Sequence, residues 1–235
     1  MYLTVLGQNG PFPCAEGSCS GYLLESDSGK TRLVLDLGSG SLARLLKHIK
    51  PNEISAVVLS HLHFDHISDV LPLKYAADFS GAGKLKLLCP KTPENVFGLL
   101  NNLYDTFDME ACSIGEMRLR FVRVKHPVET YAVRVECDGR AFVYTGDSNE
   151  CIELTEIADG ADLLLADAGL SEQDWTAAKP HLTPVKCAEL AKAAGAGRLM
   201  LTHLSPLYNY TDLLEDARSV FSNTQLAQTD IRTRI

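Results

Sequence analysis

The stretch Ser60-His61-Leu62-His63-Phe64-Asp65-His66 places three histidines and one aspartate almost side by side. The apolar run at residues 55–60 predicts a short buried strand before it, and a helix is expected after it. In extended backbone, residues two apart point to one side, so His61 and His63 can bind one ion together. One helical step later, Asp65 and His66 can face a second ion. Imidazole and carboxylate ligands without a thiolate suit Zn²⁺, Mn²⁺ or iron at an open site, so the pattern predicts metal binding.

The alternative interpretation of this stretch is a histidine-rich surface loop. Four ligands could fill at most half of two metal sites, so the choice depends on partners elsewhere in the chain. Three candidates end predicted strands: His126 before Pro127, Asp147 in a Thr-Gly-Asp turn, and His203 before Leu204-Ser205-Pro206. Each alone is more typical of a cap or turn. Together with the histidine loop they form a plausible ligand set, because strand ends hold side chains rigidly while loops leave room for a substrate.

Composition and charge restrict the class of protein. The chain has 235 residues, of which 46% are hydrophobic and 22% charged, as in globular proteins. Its net charge of −8 disfavours an extended nucleic-acid footprint, which needs a basic face. Seven cysteines without a C-x-x-C pair predict reduced thiols in a cytoplasmic protein. No apolar run approaches the length of a membrane span, so no membrane association is expected.

Strand and helix patterns are mixed from end to end. Polar turns predict a hairpin from residues 21–24 and 33–37, and Asp138-Gly139 predicts a second hairpin between residues 131–137 and 141–145. Another helix is expected to begin with Thr92 as N-cap and Pro93 at its first position. Because we find no linker or repeat, we predict one α/β domain over residues 1–235, with mixed sheets.

The complete pattern resembles the metallo-β-lactamase superfamily. The similarity runs from Asp36, in Leu35-Asp36-Leu37-Gly38, through the histidine loop to His203. It implies an α/β fold in the form of an αβ/βα four-layer sandwich, with two mixed β-sheets flanked by helices. It also implies two divalent metal ions, with Zn²⁺ preferred to Mn²⁺ or Fe²⁺, and a metal-bridging hydroxide as nucleophile. Asp36 is expected to orient the histidine loop.

The resemblance assigns a role to each matching position. His61, His63 and His126 would hold the first metal, Asp65, His66 and His203 the second, and Asp147 would bridge them.

The second half of the chain is most similar to the ribonuclease Z-like branch of phosphodiesterases. His181-Leu182-Thr183 matches a histidine-threonine motif of that branch, which implies a catalytic His181 acting on the scissile phosphate, beside a catalytic Asp65. Asp167 falls where the branch carries an acidic residue that orients this histidine. From the residues alone, His181 would be a loop histidine next to an N-cap.

Two departures from this branch change the expected substrate. The basic arm of the tRNA-processing enzymes is absent, since a predicted hairpin fills the interval between His126 and Asp147, and Asp69 replaces a common glycine. We therefore expect a small phosphodiester or cyclic nucleotide as substrate rather than pre-tRNA. The branch commonly dimerises, so a homodimer is compatible with the resemblance.

Two other functions remain open from the sequence. A thioester or lactone hydrolase could use the same metal site, and a non-catalytic metal-binding sensor could keep the ligands without turnover. His181 discriminates between phosphodiester hydrolysis and thioester hydrolysis, because the latter has no evident need for it. The sequence does not decide whether the loop at residues 7–21 or Trp175, the single tryptophan, contacts the substrate.

Overall fold

The computed structural model describes all residues from 1 to 235 and contains two seven-stranded sheets. The strands are β1 (Tyr2–Gly7), β2 (Gly21–Glu25), β3 (Arg32–Leu37), β4 (Ala56–Val58), β5 (Lys86–Leu88), β6 (Asp105–Phe107), β7 (Cys112–Ile114), β8 (Met117–Arg123), β9 (Tyr131–Cys137), β10 (Arg140–Tyr144), β11 (Leu163–Asp167), β12 (Leu199–Thr202), β13 (Thr224–Leu226) and β14 (Arg232–Arg234). The first sheet has the order β14-β1-β2-β3-β4-β5-β6, and the second has the order β13-β12-β11-β10-β9-β8-β7.

Seven helices cover the outer faces of the sheets. They are α1 (Ser41–His48), α2 (Phe64–Ile67), α3 (Val70–Phe79), α4 (Glu94–Leu103), α5 (Ile152–Ala158), α6 (Pro184–Ala193) and α7 (Tyr210–Val220), with a 3-10 turn at Pro51–Glu53. One apolar cluster fills the space between the two sheets, and two further clusters join each sheet to its own helices. The expected four-layer sandwich with two mixed sheets is confirmed.

Strand direction brings the predicted ligands to one edge of the sandwich. Strands β3 to β6 are parallel, and so are β10 to β13. Since β9 is antiparallel to both β8 and β10, the ends of β8 and β10 face the same way. The carboxyl ends of β4, β8, β10 and β12 therefore lead into His61, His126, Asp147 and His203 respectively.

Both predicted hairpins are present, and the left-handed backbone of Asp138 and Gly139 makes the second turn. The predicted Thr92 N-cap is wrong. Pro93 occupies the N-cap position of α4, and the Thr92 hydroxyl donates instead to Glu129 Oε2 across the surface. No helix has the length and apolar character that crossing a membrane requires. That residues 1–235 are one domain stays a prediction.

Candidate metal centre

The first group of candidate ligands is His61, His63 and His126. The Nε2 atom of His61 lies 3.0 Å from Nδ1 of His63, and Nε2 of His126 lies 3.2 Å from the same Nδ1. Asp147 Oδ2 approaches the group at 3.6 Å from Nε2 of His61. These four residues come from three separate segments, and their ligand atoms all lie within 4.8 Å of one another.

The second group is Asp65, His66 and His203, again completed by Asp147. The Oδ2 atom of Asp147 lies 3.3 Å from Nε2 of His66 and 3.4 Å from Nε2 of His203. The Asp65 Oδ2 atom lies 3.5 Å from Nε2 of His66 and 3.9 Å from Nε2 of His203. One carboxylate oxygen of Asp147 thus faces both groups, which is the position that a bridging ligand requires.

The spacing of these atoms fits divalent metal ions. With bonds of about 2.0–2.1 Å, neighbouring ligands at the corners of a tetrahedron are roughly 3.3 Å apart. The separations of 3.0–3.9 Å in the two groups bracket this value. In addition, His66 Nε2, His203 Nε2 and Asp147 Oδ1 are buried without a hydrogen-bond partner. Because such groups are costly to leave unpaired, their convergence supports a cation as the missing partner.

Burial prepares the first group for binding a cation. It lowers the pKa of His61 well below its usual value, and it also lowers the pKa of His63 and His126. Neutral imidazole is the form that donates an electron pair to a metal. Burial alone would raise the pKa of Asp147, but neighbouring histidines, His203 foremost, hold this pKa well below its usual range. The first group therefore combines neutral imidazoles with a carboxylate anion. In the second group burial opposes protonation of His66, but the carboxylates of Asp147 and Asp36 raise its pKa well above the usual value.

Asp36 holds the histidine loop in place through hydrogen bonds. Its side chain is completely buried, and it accepts hydrogen bonds from the backbone and hydroxyl of Ser60, both at 2.7 Å. It also lies 2.8 Å from Nδ1 of His66 and accepts a 2.9 Å bond from the hydroxyl of Tyr144. The bond to Nδ1 directs Nε2 of His66 toward Asp147, which is the orienting role expected for Asp36.

The backbone is strained at two positions of the site. Asp36 has φ of +51° and His203 has φ of +55°, in the left-handed region that non-glycine residues rarely adopt. His203 is held by the chain near the amino terminus, since its Nδ1 lies 3.2 Å from Ser20 Oγ and its ring packs against Gly10. A Cβ atom at Gly10 would lie 2.0 Å from the ring. The loop at residues 7–21 thus contacts a candidate ligand directly.

His181 lies beside the ligand cluster and is paired with Asp167. Its Nδ1 atom is 2.8 Å from Asp167 Oδ2, and its ring stacks on His203 with centroids 5.0 Å apart. Burial opposes protonation, but the Asp167 carboxylate outweighs it and raises the pKa of His181 to about 9. All the residues predicted from the sequence as metal-binding or catalytic are therefore brought together at one edge of the sandwich.

Asn149 was missed by the sequence reasoning. It lies two residues after Asp147, is buried, and uses its amide to donate to the carbonyls of Thr176 and Lys179. Its Oδ1 atom accepts from the indole of Trp175. The only sequence signal was its position just after a Thr-Gly-Asp turn, because its partners are more than twenty residues away.

A cavity of about 650 Å³ lies at the opposite end of the strands and is not a candidate active site. Its lining includes Asp27, Arg140, Asp162 and Arg198, and Arg140 is already paired with Asp162 at 2.6 Å. It contains neither histidine nor unpartnered buried polar atoms. Chemistry rather than volume therefore places the site at the histidine edge.

Comparison with known proteins is in agreement with this geometry. The model of the β-lactamase superfamily domain matches residues 31–204, from β3 to just past His203. This chain belongs to the β-lactamase superfamily. Within the superfamily, the probable metallo-hydrolase YhfI of Bacillus subtilis is 33% identical over 233 residues, with 94% of each chain covered. The crystal structure of YhfI has a TM-score of 0.92 at 30% identity, covering 99% of both chains.

A more distant relative and a structural neighbour also align over nearly their full lengths. Ribonuclease Z of Methanopyrus kandleri is 24% identical over 283 residues, covering 100% of this chain and 98% of the ribonuclease. A diphosphatase from the PhnP family shares the fold, with a TM-score of 0.75 at 21% identity over 100% of this chain and 97% of that one. The predicted family is confirmed, and the membership supports a hydrolase with histidine and aspartate clusters suited to metal ions.

Proposed function

We propose that this protein is a binuclear metal-dependent phosphodiesterase that hydrolyses a small phosphodiester or a cyclic nucleotide. The observation that carries the proposal is the pair of His181 and Asp167, 2.8 Å apart and adjacent to both ligand groups. Two metal ions could serve many hydrolases. A histidine held ready to donate a proton beside them suits a reaction in which an alkoxide must leave from phosphorus.

The two ligand groups would each hold one divalent cation, Zn²⁺ in our proposal. When bound, the cations supply positive charge to the phosphoryl oxygens and a hydroxide nucleophile at neutral pH. Asp147 fixes the separation of the two groups, because Oδ2 faces both. Asp65, with its side chain 12% exposed, has access to the substrate side and orients the attacking water.

His181 completes the reaction at the leaving group. Asp167 accepts a hydrogen bond from Nδ1 of His181, so Nε2 is the nitrogen available to a substrate. As the bond between phosphorus and the leaving oxygen breaks, Nε2 donates its proton to that oxygen. Asp167 stabilises the imidazolium beforehand and keeps the ring in one orientation.

The shape and charge of the chain favour a small substrate. The hairpin of β9 and β10 occupies the interval between His126 and Asp147, and no extended arm projects from it. The net charge of −8 disfavours a broad basic face for RNA. A relative named ribonuclease Z and a structural neighbour described as a diphosphatase support the class of reaction proposed here.

The test is hydrolysis of two phosphodiesters by protein whose metal content has been measured: a cyclic nucleotide, which expels an alkoxide, and bis(p-nitrophenyl) phosphate, which expels the weakly basic p-nitrophenolate. We expect Asp147→Ala to lose both activities together with metal. We expect His181→Ala to retain metal and to lose chiefly the hydrolysis of the cyclic nucleotide, whose leaving group needs a proton. His48→Ala is the matched control, because His48 lies at the end of α1 near Asp230 and outside the site. Equal hydrolysis of the cyclic nucleotide by His181→Ala and by the unaltered protein would contradict the assigned role of His181.

The alternative functions are tested in the same preparation. Turnover of a thioester or lactone without any phosphodiester hydrolysis would replace the proposal with that activity. Tight substrate binding without product at any metal loading would identify a metal-binding sensor. A homodimer and a cytoplasmic location stay predictions, the former to be tested by sedimentation velocity.

A further inference from the structure

The segment at residues 171–180 lies next to the site and contains neither helix nor strand. It connects β11, which ends in Asp167, to His181 and the start of α6. Most of its side chains are exposed, so apolar packing does not fix its position. Polar contacts to other segments must therefore set where His181 lies.

Asn149 supplies the largest share of those contacts. Its amide donates to the carbonyl of Lys179 at 2.5 Å and to the carbonyl of Thr176 at 3.3 Å. Its Oδ1 atom accepts from the Trp175 indole at 3.2 Å and from the backbone of Glu150 at 2.7 Å. With 1% exposure and both donors and its acceptor in use, this side chain is a fully satisfied buried polar group.

The contacts of Asn149 lead directly to the candidate metal ligands. Its backbone N–H donates to the carbonyl of Lys125, the residue before His126. The carbonyl of Pro180, the residue after Lys179, lies 3.2 Å from Nδ1 of His126. The same short segment thus orients a metal ligand through Pro180 and carries His181 as its next residue.

We propose that Asn149 is a positioning residue that holds residues 175–180, the second half of this segment, and thereby places His181 against the scissile bond. This inference rests on the proposed function, since it assigns Asn149 a role in the proton donation by His181. Without the two amide donors, the carbonyls of Thr176 and Lys179 lose their partners and the segment shifts. A displacement of about 1 Å at a reacting group can cost on the order of a hundredfold in rate.

The first test is a double-mutant cycle with Asn149→Asp and His181→Ala. Asn149→Asp preserves volume and the acceptor for Trp175, but it removes both donors. With a cyclic nucleotide as substrate, we expect kcat to fall about tenfold to a hundredfold and KM to stay nearly unchanged. Metal content should also stay nearly unchanged, because all the candidate ligands lie outside the segment. In the His181→Ala background the same substitution should cost less than about twofold, because the group that it positions is already gone.

Matched variants separate this role from general destabilisation. Asn223→Ala removes a similar bond from a side-chain amide to a carbonyl, that of Gly197, at the opposite end of the strands, and should leave kcat unchanged. Asn149→Ala should reproduce the loss in kcat at metal contents equal to the unaltered protein. Losses from Asn149→Asp that multiply with those from His181→Ala would overturn the proposal, as would a loss fully explained by missing metal.

Trp175 gives a readout that needs no activity. As the only tryptophan, it reports on the segment alone, and Lys186 lies over its ring at 3.9 Å. In Asn149→Asp we expect a red-shifted emission and a higher quenching constant with acrylamide, and in Asn223→Ala neither change. If no phosphodiester is hydrolysed but the emission shifts, the proposed function fails while the structural part of the inference stands. Unchanged emission and quenching would show that Asn149 does not hold the segment.

Discussion

Asp36→Asn is the substitution that best tests how the histidine loop is supported. Asparagine has nearly the same shape as aspartate and tolerates the left-handed backbone at this position, where φ is +51°. The substitution therefore isolates the change in hydrogen bonding. The Oδ1 atom of Asp36 accepts one hydrogen bond, from the backbone N–H of Ser60. Its Oδ2 atom faces three donors: the hydroxyl of Ser60, Nδ1 of His66 and the hydroxyl of Tyr144.

The magnitude follows from the number of donors that lose an acceptor. An asparagine has one side-chain oxygen, which can take the place of Oδ2 and keep its three donors. Its NH₂ group then takes the place of Oδ1 and faces the backbone N–H of Ser60, so that two donors meet. Leaving that buried donor unpaired costs about 1–3 kcal/mol, and the lost charge weakens the remaining bonds. We expect the free energy of unfolding of the metal-free protein to fall by about 2–4 kcal/mol. Metal affinity should fall about tenfold to a hundredfold, because His66 loses its charged partner.

The assays are urea unfolding of the metal-free protein and competition for Zn²⁺ with a chromogenic chelator. Tyr144→Phe is the matched control, since it removes one of the donors and leaves Asp36 with the others. It should cost about 1 kcal/mol and change metal affinity less than about threefold. The reasoning is refuted if Asp36→Asn binds Zn²⁺ as tightly as the unaltered protein, or if Tyr144→Phe weakens binding equally.

Three further predictions address separate parts of the site. Gly10→Ala places a methyl group 2.0 Å from the ring of His203, so the bound metal measured by mass spectrometry should fall by about one ion per chain; undiminished metal content would contradict the packing. Asp69→Ala removes the carboxylate that accepts from Leu42 N at the start of α1, and should cost about 1 kcal/mol in urea unfolding with kcat unchanged. Removal of metal by a chelator should abolish phosphodiester hydrolysis, and added Zn²⁺ should restore it; full activity of protein shown to be metal-free would exclude metal catalysis.

Features that depend on neighbouring residues could be predicted from the sequence. The His61–His66 loop and both hairpins follow from short-range spacing. The meeting of His126, Asp147 and His203 follows from a simple rule, because each ends a strand and parallel strands share an edge. The resemblance to a family then made the ligand set specific.

Features that depend on distant partners could not be predicted. Asp69 accepts a hydrogen bond from Leu42 N in the first turn of α1, although the two residues lie 27 positions apart in the sequence. Thr92 resembled an N-cap, but a contact with Glu129 across the surface takes its hydroxyl. The role of Asn149 is visible only in the folded structure, where residues 175–180 pack against it. In each case the partner lies far away in the sequence, so nothing in the neighbouring residues indicates the contact.

Very short strands also could not be predicted from the sequence. The edge strands β6, β7, β13 and β14 have three residues each, too few to show a two-residue alternation against a background of loops. They form because a neighbouring strand already presents its backbone groups. Their absence from the sequence interpretation did not affect the site, which is built on the inner strands.

The most direct test of the central claim is the rate of bis(p-nitrophenyl) phosphate hydrolysis as a function of bound Zn²⁺ per chain. Metal-free protein would be titrated with Zn²⁺, with metal content and initial rate measured on the same samples. Because Asp147 faces both ligand groups and His181 lies beside them, we predict that the rate stays low up to one ion per chain and rises to its maximum at two. Maximal hydrolysis at one ion per chain, or none at two, would contradict a binuclear phosphodiesterase.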